Sequence, residues 1–233
     1  MTSRHRGKRI FVNYFEECYM KKYLLIVTIV MVGVLSSCTK NDPVAPGDTN
    51  DQSQSYSPMK VGYWWEYTST MKGYPPTYRF TIGPEEMKNG KSYLTSTYSN
   101  STSKGYFRIE NNKIIALGPN ITLGIEGEEE YVSIDFNKAI GETIEYSRID
   151  GITGYPLRNV LLMKEKRDTF TTPSGVTYKD IVVLRNSLYL QYPTSGQRLM
   201  TYSESYFAKG IGQVYTTTQE SGDMDLKDYS FKK

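Results

Sequence analysis

The sequence predicts an all-β fold, a single antiparallel barrel or half-barrel, or a sandwich, of about ten to twelve strands. Short runs rich in Tyr, Thr, Val and Ile alternate in polarity with period two, and turn residues separate the runs. Beyond the N-terminal region, no window keeps a helical period for about ten residues. Tyrosine is unusually abundant, with 21 Tyr against 8 Phe and 2 Trp in 233 residues. We therefore expect few or no helices.

The predicted strands follow one another along most of the chain. In the run 77–82, Tyr78, Phe80 and Ile82 fall on one face and polar residues on the other. Asn-Gly at 89–90 and Asn-Asn at 111–112 predict tight turns, because both residue types accept positive φ. The best candidates for a helix are two short segments, near 84–88 and 135–140. The predicted strands are 61–70, 77–82, 91–99, 105–110, 113–117, 130–136, 143–147, 159–171, 177–185, 199–208, 212–219 and 226–231.

The N-terminal region has the pattern of an export signal. Met20 and two lysines precede an apolar run at 24–35, and small residues follow that run. Twelve helical residues span about 18 Å, which is short of the ~30 Å hydrocarbon core. A cleaved signal peptide at 20–37 is therefore favoured over a permanent membrane span. We interpret residues 1–19 as an upstream extension from a mis-assigned start codon.

The end of this signal resembles the lipobox of bacterial lipoproteins, in which a leucine and two small residues precede an invariant cysteine. The resemblance implies cleavage between Ser37 and Cys38 and attachment of fatty acyl chains such as palmitate to Cys38. Two or three chains hold a protein on a membrane almost permanently. The alternative is an ordinary signal peptide followed by a chance cysteine. Thr39 after the cysteine, by resemblance to diderm sorting rules, favours the outer membrane, with the periplasmic or surface face left open.

Composition divides the exported part into two segments. Residues 38–57 are polar and contain proline and glycine, so we expect a flexible tether behind the lipidated cysteine. Residues 58–233 form one predicted β-rich domain without internal repeats.

The exported part lacks several kinds of catalytic residue. The only histidine, His5, and Cys18 both precede the signal peptide, and Cys38 is predicted to be acylated. This excludes Ser-His-Asp and Cys-His catalysis, and also His- or Cys-ligated metals, from the mature domain. No cofactor or metal is expected.

The net charge of the exported part is close to zero. The first 37 residues hold six of the 28 basic and two of the 25 acidic residues, which leaves residues 38–233 with a net charge of −1. This near-neutral charge argues against nucleic acid as a partner.

Carboxylate catalysis is the remaining enzymatic possibility. The candidate acids are Glu66, Asp135, Glu145 and Asp180, but no spacing predicts that any two are neighbours in space. Surface carboxylates are the favoured interpretation, and we predict that the protein is not an enzyme.

The first predicted strand carries the candidate ligand-binding residues Trp64, Trp65 and Tyr67. Trp64 and Trp65 must lie on opposite faces, so they cannot both fill one core. One interpretation is core and cross-strand packing. The other is an aromatic cleft for a lipid, glycan or peptide, since tyrosine combines an apolar face with a hydroxyl.

Three passages resemble a group of bacterial envelope lipoproteins. Residues 58–67 read PMKVGYWWEY and are similar to their opening L-x-V-G-x-x-W-x-Y. Residues 170–183 read FTTPSGVTYKDIVV, similar to V-P-A-G-T-F-x-D-V-x-x-V, and 206–214 read YFAKGIGQV, similar to Y-x-A-x-G-V-G-x-V. The predicted strand pattern of the group is similar to that of periplasmic lipoprotein-carrier half-barrels, and this resemblance implies a concave apolar inner face. Gly62-Tyr63-Trp64 also resembles the Gly-x-Trp that opens lipocalin barrels.

Three functions fit these observations. The first is a membrane-anchored, non-enzymatic binding or carrier module for an amphipathic lipid, glycan or peptide. The second is a structural or protein-interaction lipoprotein of the cell envelope, and the third is a carboxylate-based glycan hydrolase. A pocket within the fold favours the first, and a filled core with an exposed patch favours the second.

Overall fold

The computed structural model describes residues 55–119, 128–149, 154–219 and 221–231. Within these ranges the chain forms one antiparallel sheet of twelve strands and no helix. The signal peptide, Ser37, Cys38 and most of the tether lie outside the described residues, so the predictions for them stay predictions. The strands are β1 (Trp64–Ser69), β2 (Thr77–Lys88), β3 (Lys91–Tyr98), β4 (Lys104–Glu110), β5 (Lys113–Pro119), β6 (Glu128–Asp135), β7 (Thr143–Ile149), β8 (Pro156–Thr171), β9 (Thr177–Tyr192), β10 (Gly196–Ala208), β11 (Gly212–Thr218) and β12 (Gly222–Tyr229).

The sheet curls into a nearly closed barrel. Its order is β6-β5-β4-β3-β2-β1-β12-β11-β10-β9-β8-β7, so β6 and β7 are the edge strands. The two edges approach each other, because the ring centres of Tyr131 in β6 and Tyr146 in β7 are 4.7 Å apart. The predicted all-β antiparallel barrel is confirmed, with one seam between β6 and β7.

Burial alternates along the strands as the sequence predicts. In β2, Tyr78, Phe80 and Ile82 are buried on the inner face, while Thr77 and Arg79 are exposed on the outer face. Burying aromatic and branched side chains on one face drives the sheet to close around them, at roughly 25 cal/mol per Å² of apolar surface.

Two predicted turns form as expected. Asn89 and Gly90 have φ values of 51° and 77°, and Asn111 and Asn112 have 49° and 60°. Two consecutive residues with positive φ give the turn whose twist matches that of a hairpin, which explains why Asn and Gly stand here.

Neither of the two candidate helical segments forms a helix, in agreement with the expectation of few or no helices. Residues 84–88 belong to β2, which continues to Lys88. Pro84 lies where the β2–β3 register shifts between Ile82 and Glu85, and such a bulge tolerates the missing N–H of proline. Asp135 ends β6, and turns and irregular backbone lead on to Gly141.

The two ends of the barrel are named here by the chain's path. The proximal end holds the start of β1 and the turns after β2, β4, β6, β8 and β10. The distal end holds the turns after β1, β3, β5, β7, β9 and β11. Odd-numbered strands therefore run from proximal to distal.

The tip of the long β8–β9 hairpin folds back over the outer face of the barrel. The ring of Phe170 stacks on Tyr206 with 4.1 Å between centres, and the Ser174 N–H donates to Oδ2 of Asp225 at 3.1 Å. Asp180 has a φ of 52° where the hairpin leaves the sheet. This cover explains why Tyr206, on the outer face of β10, is buried.

Candidate functional site

Two of the three predicted aromatic residues of β1 point into the barrel. Trp65 and Tyr67 expose 1% and 3% of their surface. Trp64 is half-buried on the outer face, where the guanidinium carbon of Arg79 lies 4.1 Å from its ring centre. Thus Trp65 is a core residue and Trp64 a surface residue that stacks with a cation.

Trp65 and Tyr67 each bond to the backbone at the start of β11. Nε1 of Trp65 donates to the Ile211 carbonyl at 2.7 Å, and the Tyr67 hydroxyl donates to the Gln213 carbonyl at 3.1 Å. Gly212 stands between these acceptors with a φ of 98°, and a Cβ there would lie 3.4 Å from Nε1 of Trp65. These contacts hold β1 against the start of β11. That Trp65 or Tyr67 contacts a ligand stays a prediction.

Aromatic rings fill the barrel interior at its proximal end. Tyr56 stacks on Phe136 at 5.6 Å between centres, and Phe136 meets Phe207 edge-on at 5.4 Å. The Gly210 N–H donates to the Ser55 carbonyl at 2.7 Å, which ties the segment before β1 to the turn after β10. Residues 55–57, which precede β1, therefore pack against the proximal end.

A tyrosine cluster lines the inner face of β1 to β3 towards the distal end. Ring centres are 5.5 Å apart for Tyr67 and Tyr78, and 6.0 Å for Tyr78 and Tyr98. Burial, and then the neighbouring tyrosines, raise the pKa of Tyr78 and Tyr98 well above the ordinary value. The Tyr78 hydroxyl meets the Met224 sulfur, whereas the Tyr98 hydroxyl has no hydrogen-bond partner among the described residues.

The inner face of β8 to β11 forms a polar wall. In the strand order β12 separates it from β1 of the tyrosine cluster, and Asn159 on β8 is its member farthest from that cluster. The Ser205 and Thr216 hydroxyl oxygens are 2.9 Å apart, and Nε2 of Gln213 donates to Thr216. Two atoms of the wall, Nδ2 of Asn159 and Oε1 of Gln213, have no partner within the described ranges. The buried members of the polar wall are Asn159, Asn186, Ser203, Ser205, Gln213 and Thr216.

Asn159 is the most informative residue of the polar wall, and sequence reasoning missed it. Its side chain is 2% exposed and stands on β8 opposite Leu188 of β9. Leu157 and Met163 share its parity and are buried. The sequence did contain a signal, because a single amide stands among apolar residues of the same parity in this strand. A buried donor left unpaired costs about 1–3 kcal/mol, so its presence requires an explanation.

The seam of the barrel passes beside Asn159. Tyr146 of β7 is the cross-strand partner of Asn159, and its ring packs on Tyr131 across the seam. A Cβ at Gly118 would lie 3.0 Å from the Tyr131 ring, so this ring lies over bare backbone of β5. Among the described strands, the unpaired amide therefore lies one strand away from the seam between β6 and β7.

Glu130 is the centre of an ionic cluster on the outer face. Nε and Nη2 of Arg108 donate to its carboxylate at 2.6 and 3.1 Å, Lys91 donates at 2.6 Å and the Tyr93 hydroxyl at 2.5 Å. The Arg108 hydrogen bonds, followed by those from Lys91 and Tyr93, lower the pKa of Glu130 to about 2 against the effect of burial. The carboxylate is saturated with donors, which marks a structural role.

A second ionic cluster surrounds Glu204 on β10. Lys164 donates to both carboxylate oxygens at 2.8 and 2.7 Å, and Nε of Arg185 donates at 2.8 Å. Burial acts to raise the pKa of Glu204, but the hydrogen bonds from Lys164 and Arg185 outweigh it and hold the pKa below its ordinary value. This cluster ties β8, β9 and β10 together on their outer face.

Three of the four candidate acids are ion-paired. The partners are Arg79 and Lys227 for Glu66, Lys113 for Asp135 and Arg158 for Glu145. Asp180 accepts a backbone hydrogen bond from Lys209 through its carbonyl. In the part of the chain that the structure describes, no group of three or more His, Cys, Asp or Glu could hold a metal ion. No helix in the described ranges is long and apolar enough to cross a bilayer.

The fold and its interior define an up-and-down antiparallel β-barrel with a filled proximal end and a polar wall near its seam.

The chain matches no protein-family model and no curated protein sequence. Two solved structures are similar to it. A candidate lipoprotein from Parabacteroides distasonis has 12% identity and a TM-score of 0.44, over 76% of this chain and 99% of that one. A candidate exported protein with a YmcC-like fold from Bacteroides fragilis has 9% identity and a TM-score of 0.42, over 74% and 97%. Likeness of this degree assigns neither family nor function.

Proposed function

We propose that this protein is a lipid-anchored, non-enzymatic binding protein of the cell envelope. It holds an amphipathic ligand inside the distal half of the barrel. The ligand has an apolar body and a hydrogen-bond acceptor such as an ester or amide carbonyl. The anchor is an acylated Cys38, and the outer membrane is the favoured location because Thr39 follows it.

The unpaired Nδ2 of Asn159 is the observation that carries the proposal. Buried polar groups are almost always hydrogen-bonded, and an amide donor in an apolar row is satisfied at low cost by an acceptor on a bound molecule. The tyrosine cluster on β1 to β3 supplies apolar surface within the same interior, with the Tyr98 hydroxyl as a second polar contact. An apolar body with one polar group matches both walls.

The charged residues support a binding role over catalysis. Glu130 and Glu204 are held by basic neighbours on the outer face, and Glu66, Asp135 and Glu145 are ion-paired. A glycan hydrolase of the carboxylate type needs two acids about 5–10 Å apart in one cleft, one of them with a raised pKa. The pKa values of Glu130 and Glu204 are lowered instead.

Native mass spectrometry of the full-length protein, made with its own signal and purified from membranes, tests the proposal. We expect a discrete bound amphiphile that collisional activation releases. Asn159→Leu removes the donor and should lower occupancy about fivefold to tenfold, the effect of one neutral hydrogen bond. Asn100→Leu, an exposed site on the turn after β3, is the matched control and should keep wild-type occupancy. Absence of any bound organic molecule from wild type would contradict ligand binding.

The same spectra test the anchor. The mass of the mature chain should begin at Cys38 and include its acyl chains. An unprocessed chain with a free thiol at this position would contradict the lipid anchor while leaving the ligand result to stand separately.

A protein-interaction role is the second candidate. The edge strands β6 and β7 have neighbours on one side only in the strand order, and exposed edges accept an added strand. Covalent cross-linking in intact cells would favour this role if a partner couples to β6 or β7 while native mass spectra show no small molecule.

A further inference from the structure

Exposed apolar side chains are concentrated at the proximal end. Val61, Met87 and Ile140 have exposed fractions of 54%, 67% and 59%. Val61 precedes β1, Met87 is the next-to-last residue of β2, and Ile140 lies between β6 and β7, all at the proximal end. Val176, at the tip of the β8–β9 hairpin that folds over the outer face, is 44% exposed. Among the described residues, Leu199 on β10 is the exposed large apolar side chain of the distal half, at 41%.

These three side chains do not form one local hydrophobic cluster. They stand on three separate chain segments spread around the same rim, and the rings beneath them already fill the interior. Exposed apolar groups at several points of one rim fit a flat apolar partner better than a pocket. We name Val61, Met87 and Ile140 the rim triad.

The chain's own path points to what covers the rim triad. The described chain begins at Ser55, which is tied to Gly210 at the proximal end. Cys38 lies 17 positions upstream of Ser55, so the proposed anchor is joined to the proximal end by a short length of chain. The intervening residues are mostly polar, with Val44 and Ala45 as the aliphatic ones, so their composition offers little apolar surface to the rim triad.

Basic residues accompany the rim triad. Lys60 precedes Val61, Lys88 follows Met87, and Lys138 lies two positions before Ile140. Lys88 lies over the Tyr106 ring at 4.5 Å, and Lys138 is 3.9 Å from Glu142, so these charges are partly compensated. Apolar insertion rather than attraction to anionic lipid should therefore dominate contact with a membrane.

We propose that the proximal end of the barrel docks on the surface of the membrane that holds the acylated Cys38. Val61, Met87 and Ile140 enter the boundary between headgroups and acyl chains, and the distal half points away from the bilayer. This proposal rests on the lipid anchor of the proposed function. It adds a defined orientation, which the acyl chains on Cys38 alone do not impose.

Site-specific quenching by lipid tests the docking. The single-cysteine variants Met87→Cys and Ile140→Cys, and the control Leu199→Cys at the distal end, are made in the full chain and labelled with bimane. Acylation blocks Cys38, and the signal peptide is removed with Cys18, so the label reports on one position. The lipidated proteins are placed in phosphatidylethanolamine and phosphatidylglycerol vesicles that contain brominated lipid.

We expect bimane at 87 and 140 to be quenched at least about twofold more than bimane at 199. A second variant, Ile140→Asp in the Met87→Cys background, should reduce the quenching at 87 while vesicle flotation is unchanged. Equal quenching at all three positions with intact flotation would overturn docking and leave the anchor standing. If brominated lipid quenches bimane at none of the three positions and two copies of the Met87→Cys variant cross-link to each other, the docking proposal is also overturned, in favour of self-association. Loss of flotation of the wild type would overturn the anchor as well.

Discussion

At the proximal end, Tyr56, Phe136 and Phe207 pack ring against ring, whereas at the distal end Asn159 keeps an amide hydrogen without a partner among the described residues. Both regions belong to the same twelve-stranded sheet and obey the same alternation. The difference lies in what the inward positions hold. The filled end supplies stability, and this allows other inward positions, such as Asn159, to carry polar groups that a core designed only for stability would exclude.

Truncating the filled end should have the largest effect. Trp65→Ala removes an indole that is 1% exposed, together with its hydrogen bond to Ile211. We expect a loss of about 3–5 kcal/mol in the free energy of unfolding, measured by urea denaturation. The matched control Trp64→Ala removes a partly exposed ring and its contact with Arg79, and should cost about 1 kcal/mol or less. Equal losses in both variants would contradict the assignment of the two faces.

Repairing the distal interior should act in the opposite direction. Asn159→Leu replaces a buried unpaired amide with an apolar group that continues the row of Leu157 and Met163. In ligand-free protein we expect the free energy of unfolding to rise by about 1 kcal/mol, from thermal or urea unfolding. The variant should at the same time lose the bound amphiphile. Destabilisation by more than about 1 kcal/mol would show that Asn159 is a structural residue.

Acid should weaken the outer face of the distal half by a smaller amount. The pKa of Glu130 is about 2, below the ordinary value of about 4.3, so its contribution is present above this ordinary value and is lost as the pH falls towards 2. Since 24% of the side chain is exposed, solvent screening limits the contribution to about 1 kcal/mol. Comparing wild type with Glu130→Gln by urea denaturation from pH 5 to pH 2, values that bracket this shift, should show a shallower decline in the variant. Parallel curves would contradict the role of Glu130.

Local patterns made much of the fold predictable. The alternation of Tyr78, Phe80 and Ile82 gave the inner face of β2, and the Asn and Gly residues at 89–90 gave a hairpin turn, because both depend on neighbours along the chain. Pro84 misled the helix prediction, since a bulge in a strand and the first turn of a helix accept proline for the same reason.

The long-range contacts could not be predicted in this way. Trp65 bonds to Ile211 across 146 positions, and β12 closes the sheet on β1, pairings that no local pattern specifies. Composition placed residues 55–57 in the tether, yet Tyr56 packs on Phe136 because the barrel offers a ring to stack on. Asn159 became informative only once the register showed it on the inner face.

The direct test of ligand binding is the side-chain amide signal of Asn159 in a two-dimensional nitrogen–proton NMR spectrum. The spectrum is recorded on the full-length protein before and after removal of the bound amphiphile. We predict that the Asn159 signal shifts on removal and returns when the extracted amphiphile is added back, while the signal of Asn100 on the exposed turn stays in place. A spectrum in which Asn159 does not respond at any step would contradict a ligand in the distal interior.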